Sequence, residues 1–268
     1  MSNLSVLIIT RNRLEKLKRC IDSVLKNLTN TEIIVVDNDS NDGTKNYLKN
    51  NRNAIKAIFL KENVGVASAR NIGIKNCTTD FIMFLDDDAW VENLDFEMIQ
   101  KYFEINPKIG LIAPKILYPN GKTQESIRKF PNITALIWRG TGFYKLSPNV
   151  YWYKSYVEHD EKNIHEIDWS IGACQIIRRS IFNHVGLLDE KYFFGYEDAD
   201  FCLRLKQLNS FSVYWPEAII YHEYARTSAK GINISLFRHI YSIMRFFLKK
   251  NKIILSNCNY LSTSWHFV

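Results

Sequence analysis

A chain of 268 residues can bury one sizeable core, or one core and a small lobe. At 46% apolar and 24% charged it is ordinary for a globular protein, and its net charge of +7 favours anionic partners without choosing among nucleotide phosphate, anionic lipid and nucleic acid. Five cysteines, an odd number with no pair at CxxC spacing, exclude a disulfide framework and a zinc site, and no apolar run reaches the roughly 18 residues of a spanning helix.

Leu4 to Thr10 reads as an apolar strand. Leu14, Leu17, Ile21, Val24, Leu25 and Leu28 then recur at helical spacing. Glu32 to Val36 is a second strand, ending at Asp37, and Asp42-Gly43 marks a turn into a short helix over Thr44 to Asn51. Ile55 to Leu60 is a third strand, Ala67 to Asn76 a helix and Phe81 to Leu85 a fourth strand, with Gly65 permitting a tight turn before the helix. Strands separated by single helices imply parallel right-handed crossovers, hence an open α/β sheet. Ligands of such sheets bind outside the carboxyl ends of the strands. Three polar clusters fall there: Thr10-Arg11-Asn12, Asp37-Asn38-Asp39-Ser40 and Asp86-Asp87-Asp88.

The last cluster is the most telling. Five apolar residues run directly into three carboxylates, whose mutual repulsion is costly unless a cation or a donor-rich ligand shares the site. Mg2+ or Mn2+ carrying nucleotide phosphates answers that need, and a solvated acidic turn is the plain alternative.

The second half is broken by Pro107, Pro114, Pro119, Pro131 and Pro148. Residues 118–166 hold many aromatics, Trp138, Tyr144, Trp152 and Tyr153 among them. They read equally as an irregular subdomain or as a pocket where ring faces stack on sugars. Glu197-Asp198 opens a helix with Phe201, Leu205 and Leu208 on its apolar face. Asp198 suits an N-cap there, or an ionised general base. His222 follows a strand from Phe211 to Trp215 and Pro216. Leu236 to Lys252 is amphipathic: Leu236, Ile240, Ile243, Met244 and Phe247 face one way, Arg238, Arg245, Lys249 and Lys252 the other. It either packs on the domain with a solvated basic face or lies in a membrane interface. Cys20, Cys77, Cys174, Cys202 and Cys258 read as buried thiols of a reducing compartment, and with no secretory signal a cytoplasmic protein is expected. No nucleic-acid motif is present, so nucleic acid is set aside as a partner.

Four blocks carry a resemblance over roughly residues 3 to 248. They are Ser5-Val-Leu-Ile-Ile-Thr-Arg-Asn12 with Val35-Val-Asp-Asn-Asp-Ser-Asn-Asp-Gly-Thr44; Asn63-Val-Gly-Val-Ala-Ser-Ala-Arg-Asn-Ile-Gly73; Phe84-Leu-Asp-Asp-Asp88; and Gly172 to Arg178 with Gly195 to Arg204. In that order they resemble the inverting glycosyltransferases of family 2, most of all the rhamnosyltransferase-like branch. The resemblance implies a GT-A fold: a Rossmann-like, nucleotide-binding mixed sheet flanked by helices, with an irregular acceptor-side region and a C-terminal amphipathic helix. It divides the chain into a domain over 1–232, with a nucleotide-sugar half (1–115) and an acceptor and catalytic half (116–232), and a C-terminal helix and tail (233–268).

The resemblance implies roles as well. Thr10, Arg11, Asn12, Asp37, Asn38, Asp39, Asn63, Arg70, Asp86 and Asp87 would bind the nucleotide sugar, with a base read at the Asp37-Asn38-Asp39 segment. Many relatives carry two acids where this chain has Asp37-Asn38, which leaves open which side chain reads the base. Asp88 with Asp86 would hold Mg2+ or Mn2+, joined by His222. Asp198 would be the base that deprotonates the acceptor, with Glu197 orienting it or binding the acceptor. The donor implied is dTDP-L-rhamnose, with a UDP-hexose such as UDP-galactose or UDP-N-acetylglucosamine as the alternative. The acceptor implied is a saccharide or polyprenyl-linked saccharide of surface polysaccharide synthesis, which brings in peripheral attachment to the inner leaflet. A nucleotidyltransferase would show a Gly-rich loop where Thr10-Arg11-Asn12-Arg13 stands. A catalytically inactive, transferase-like binding module is the other rival.

Overall fold

The computed structural model describes residues 3–132, 160–193, 195–223, 237–238 and 240–250. Its elements run β1 (Leu4–Thr10), α1 (Leu14–Asn27), β2 (Glu32–Asp37), α2 (Thr44–Asn50), β3 (Lys56–Phe59), α3 (Val66–Asn76), β4 (Phe81–Asp86), β5 (Ala89–Asn93), α4 (Phe96–Ile105), β6 (Ile109–Leu117), β7 (Ile127–Arg128), β8 (His165–Ile167), β9 (Trp169–Ser170), β10 (Cys174–Arg178), α5 (Phe182–Val185), α6 (Glu197–Gln207) and β11 (Phe211–His222). Residues 240–250 are helical.

The main sheet has the order β3-β2-β1-β4-β10-β6-β11-β5, with β8 beside β11. Strands β1 to β4 pair in parallel, as the alternating pattern implies. The second half then makes the sheet mixed. β10 enters antiparallel between β4 and β6, β6 and β11 are parallel, and β5 runs antiparallel to β11. Alternation along β1 divides the core: Leu4, Val6 and Ile8 pack on one side with Leu17, Ile21 and Val24 of α1, and Leu7 on the other with Ala67 and Ala69 of α3. Gly73 lets α3 lie against β1, since a Cβ there would stand 2.2 Å from Leu7 Cδ1.

Expected boundaries shift by a residue or two, but three features differ in kind. β5, α4 and β6 follow the acids, where no elements were expected. β11 does not stop at Trp215: its register against β6 jumps from Trp215 to Ile219, a bulge that absorbs Pro216, which has no N–H to give the ladder. The strand therefore runs on to His222, which pairs with Ala89 immediately after the acids.

The third difference concerns the helix at 240–250, whose polarity is the reverse of a helix with a solvated basic face. Arg245 and Lys249 turn inward, to Asp189 at 2.6 and 2.5 Å, and Lys249 also reaches Asp200 at 2.8 Å. Phe246 is buried beside Tyr196, while Phe237, Ile240, Tyr241, Met244 and Leu248 are exposed. Ion pairs to Asp189 and to the buried Asp200 outcompete an apolar face for this contact. Leu236, Lys252, Cys258 and the aromatics between 133 and 159 lie outside the described residues. Cys20, Cys77, Cys174 and Cys202 are buried free thiols, as expected, and burial pushes Cys77 and Cys202 up to about 12.

Burial alone would raise the Asp189 carboxyl, but hydrogen bonds from Lys249 and Arg245 override it and hold its pKa at about 2. A depressed carboxyl stabilises above its ordinary value of about 3.9, and the contribution is lost as pH falls through the folded value. Asp189→Ala at neutral pH, and acidification of the parent from about pH 4 to pH 2, should both speed amide exchange in residues 240–250 before α6 opens. Unchanged exchange in the variant would show that Phe246 alone holds the helix.

Candidate functional site

The ends of β1, β2 and β4 bring the three polar clusters to one sheet edge, with Thr10 in register with Asp37 and Ile9 with Asp86. Asn12 and Ser40 tie the first two loops together: the Asn12 N–H donates to Ser40 Oγ, and the Asn41 N–H to Asn12 Oδ1. Asp39 takes a left-handed backbone (φ 70°), and Arg11 is exposed. Asp37 and Asn38 are both buried but differ in what they are free to do. Asn38 donates to Asn63 Oδ1 at 3.0 Å and accepts from the Val64 N–H at 3.0 Å, so its amide is spent on the 63–65 loop. Asp37 Oδ1 accepts from the Ser40 N–H, but its buried Oδ2 meets no donor among the described residues. Gly65 (φ +85°) lets that loop pass Phe193, whose carbonyl oxygen would lie 2.9 Å from an added Cβ.

Asp87 and Asp88 form the turn between β4 and β5 and are buried, while Asp86 is partly exposed. Asp87 accepts from Thr10 Oγ1 at 2.8 Å, and Arg13 Nη1 stands 3.0 Å from both Asp87 and Asp88. Burial raises the Asp87 carboxyl to about 6, against the pull of Arg13 and with Asp88 adding to the rise. Burial would raise Asp88 also, but the hydrogen bond and charge of His222, then Arg13, hold it below the ordinary range. Around them Lys16 and Arg19 pair with Glu223. Arg13, Lys16 and Glu223 were not singled out from the sequence. The readable signal was that three adjacent acids require a cation, and Arg13 opens the helix after the first strand.

His222 Nε2 lies 3.3 Å from Asp88 Oδ1 and 4.0 Å from Asp86 Oδ2. One ligand atom from each of Asp86, Asp88 and His222 falls within 4.8 Å of the others. Two carboxylate oxygens and an imidazole, with Asp86 open to solvent, make a donor set that fits a divalent cation with positions left for a ligand.

Arg70 is buried and joins this group to the second acidic pair. Its guanidinium reaches Asp86 at 3.0 Å, Glu197 at 3.3 Å and the Gly172 carbonyl at 2.7 Å. Gly195 and Tyr196, both left-handed, turn the chain into α6. Tyr196 therefore occupies the cap position, and Asp198 is not the N-cap but the second helical residue. Asp198 accepts from the Gly172 N–H at 2.9 Å and the Ala199 N–H at 2.8 Å. Burial pushes Asp198 up despite those bonds, and pushes Glu197 up with the help of its neighbour's charge. Glu197 Oε2 is buried with no hydrogen-bond partner among the described residues. Asp200, by contrast, is structural, held by Arg204 and Lys249.

The profile of Glycosyl transferase family 2 matches residues 5–186. N-acetylglucosaminyl-diphospho-decaprenol L-rhamnosyltransferase of Mycobacterium tuberculosis is 26% identical over 222 residues, 77% of this chain and 71% of that protein. The dTDP-rhamnosyl transferase RfbF of Shigella flexneri is 23% identical over 265 residues, 97% of this chain and 82% of its own. Among solved structures, GalNAc-T7 with UDP, GalNAc and Mn2+ superposes with a TM-score of 0.64 at 18% identity, over 86% of this chain and 44% of that one. Staphylococcus aureus TarS 1-349 in complex with UDP gives 0.54 at 22% identity, over 81% and 59%. The chain thus spans about half the length of those two structures. These likenesses show the fold: the mixed sheet with its flanking helices is the GT-A fold.

Removing Arg70 would leave Asp86 and Glu197 without their shared cation. Arg70→Ala should lower stability by about 3–5 kcal/mol at pH 7. The loss should shrink toward pH 5, because Glu197 has a raised pKa and is neutralised first on acidification. Urea unfolding at the two pH values measures both, and an equal loss at each would remove Arg70 from the charge balance.

Proposed function

The chain belongs to glycosyl transferase family 2, and from that premise we propose that it moves a sugar, with inversion, from a nucleoside-diphosphate sugar to a hydroxyl of a saccharide or polyprenyl-linked saccharide. The donor is dTDP-L-rhamnose, which the two rhamnosyltransferase relatives support. The observation that carries the reading is the meeting of Asp86, Asp88 and His222 with Glu197 and Asp198 at one sheet edge, bridged by Arg70.

In this mechanism Asp37 Oδ2 accepts the N3–H of the base, and Asn38 and Asn63 brace the loop beside it. Thr10, Arg11, Asn12 and Asp39 complete that rim, and Thr10 also steadies Asp87. Asp86, the most exposed of the three acids, meets ribose and cation, while Asp87 keeps the turn in place. A divalent cation, Mg2+ or Mn2+, held by Asp86, Asp88 and His222 would neutralise charge on the departing nucleoside diphosphate. Asp198 takes the proton of the acceptor hydroxyl as its oxygen bonds to the anomeric carbon from the face opposite the leaving group. The bond from that carbon to the diphosphate breaks, and the electron pair leaves with the nucleotide. Two backbone N–H groups fix the Asp198 carboxylate, and Glu197 orients the acceptor.

The decaprenol in the name of the mycobacterial relative supports a polyprenyl-linked acceptor, which the enzyme would meet as a peripheral protein on the inner face of the membrane. No helix among the described residues is long and apolar enough to cross a membrane. Phe237, Ile240, Tyr241, Met244 and Leu248 are exposed at helical spacing and would lie on the lipid surface. Arg245 and Lys249 are engaged with Asp189, so attachment there is chiefly apolar.

Asp198→Asn should cut turnover by about 10²–10⁴-fold while calorimetric donor binding is kept. Unchanged turnover would take Asp198 out of the mechanism. With Mn2+ present, dTDP should raise the unfolding midpoint more than UDP, because a ligand selective for the native state stabilises by mass action. A preference for UDP would move the donor to a UDP-hexose, and no response to either nucleotide would favour an inactive module.

A further inference from the structure

We propose that Gln124 is a positioning residue whose amide fixes the tautomer of His222, so that Nε2 is the atom offered to a metal ion. The inference rests on the reading of Asp86, Asp88 and His222 as the cation group.

Gln124 is buried between β6 and β7, and its main chain is pinned by an N–H bond to the Ile116 carbonyl at 2.8 Å. Its Nε2 lies 2.5 Å from the His222 carbonyl oxygen and 3.4 Å from that of Leu117. Both oxygens only accept, so the NH2 end must stand there. The reverse orientation would place a third oxygen against two carbonyls. Oε1 is thereby forced toward His222 Nδ1, 3.1 Å away. An amide oxygen also only accepts, so Nδ1 must carry a hydrogen. A neutral imidazole has one N–H. With Nδ1 always carrying a hydrogen, a second proton on Nε2, 3.3 Å from Asp88 and 4.0 Å from Asp86, gives the imidazolium that bonds Asp88, and in the neutral ring the Nε2 lone pair is left for a cation. Two carbonyl oxygens that take no part in chemistry thus dictate, through one amide, which face of the ring a cation meets.

The two hydrogen bonds to His222, one to its carbonyl and one from its ring, close a cycle that holds both its main chain and its χ2 angle. Ligand histidines are commonly oriented this way through their other nitrogen, and loss of the partner weakens metal binding by about 10–100-fold.

The test uses the full chain, 15N-labelled at histidine. In the metal-free wild type, at a pH where the ring is neutral, the His222 imidazole should show the Nδ1–H tautomer. Mn2+ affinity is then titrated with and without UDP in wild type, Gln124→Leu and Gln124→Glu. Gln124→Leu should weaken Mn2+ binding by about 10–100-fold and release the tautomer. Gln124→Glu keeps an acceptor for Nδ1–H but sets a second oxygen against the His222 and Leu117 carbonyls, so it should retain the tautomer and bind Mn2+ more tightly than Gln124→Leu, at reduced stability. The Nε2–H tautomer in the neutral wild type, wild-type affinity in Gln124→Leu, or equal weakness in both variants would overturn the proposal. If Gln124→Leu does not fold, the wild-type tautomer and Gln124→Glu decide. If the wild type binds no Mn2+, the cation reading itself falls, and the tautomer still decides whether Gln124 sets the ring.

Discussion

Mutual repulsion among Asp86, Asp87 and Asp88 is the constraint that the surrounding architecture answers. Three carboxylates on consecutive residues, two of them buried, are tolerable only if each finds a cation or a donor. A β-turn separates them as far as consecutive residues allow. Asp86 stays in the strand and faces Arg70, Asp87 turns down to Thr10 and Arg13, and Asp88 turns across to Arg13 and His222. The partners come from α3, the first loop, and the last strand of the sheet, so balancing one turn fixes how distant parts of the chain meet. The charge is shared unevenly: Asp87 is pushed up and Asp88 held down, which leaves Asp88 ionised on the side where the three ligand atoms converge.

Arg70 extends that balance to the second acidic pair. Because the same guanidinium touches Asp86 and Glu197, the acids at the end of β4 and the pair that opens α6 are not independent. Its third bond, to the Gly172 carbonyl, closes the circuit, since the Gly172 N–H holds Asp198. A side chain on residue 172 would strike the guanidinium, with a Cβ only 2.4 Å from Nη1. One bare peptide thus serves both halves of the site.

Much of this was legible in advance, and the limits have physical reasons. The strands β1 to β4 and the three clusters at their ends follow from periodicity and from the rule that parallel sheets bind at their carboxyl edges. The choice between Asp37 and Asn38 was not legible, because both suit a base edge. Only the geometry shows that Asn38 is spent on Asn63 and Val64. Arg13 and Gln124 carry no motif: each matters through a partner 74 or 98 residues away. From the sequence, the basic side of the 240–250 helix faces either water or anionic lipid, as lysine and arginine usually do. Asp189, in the segment before α6, and the buried Asp200 of α6 reverse that preference. Pro216 looked like the end of a strand, and would have been one had a bulge not taken it up.

That bulge imposes a parity on the chain. Strand side chains alternate between faces, so the number of residues from Trp215 to His222 decides whether the imidazole faces the acids or turns its back on them. One residue more or fewer reverses the answer. Two more restore the face but carry the ring about 6.6 Å along the strand, farther than the 4.8 Å that spans the three ligand atoms. Insertions that a surface loop would absorb cannot be absorbed here, and the bulge serves as a ruler of fixed length between the first half of β11 and the histidine at the acids.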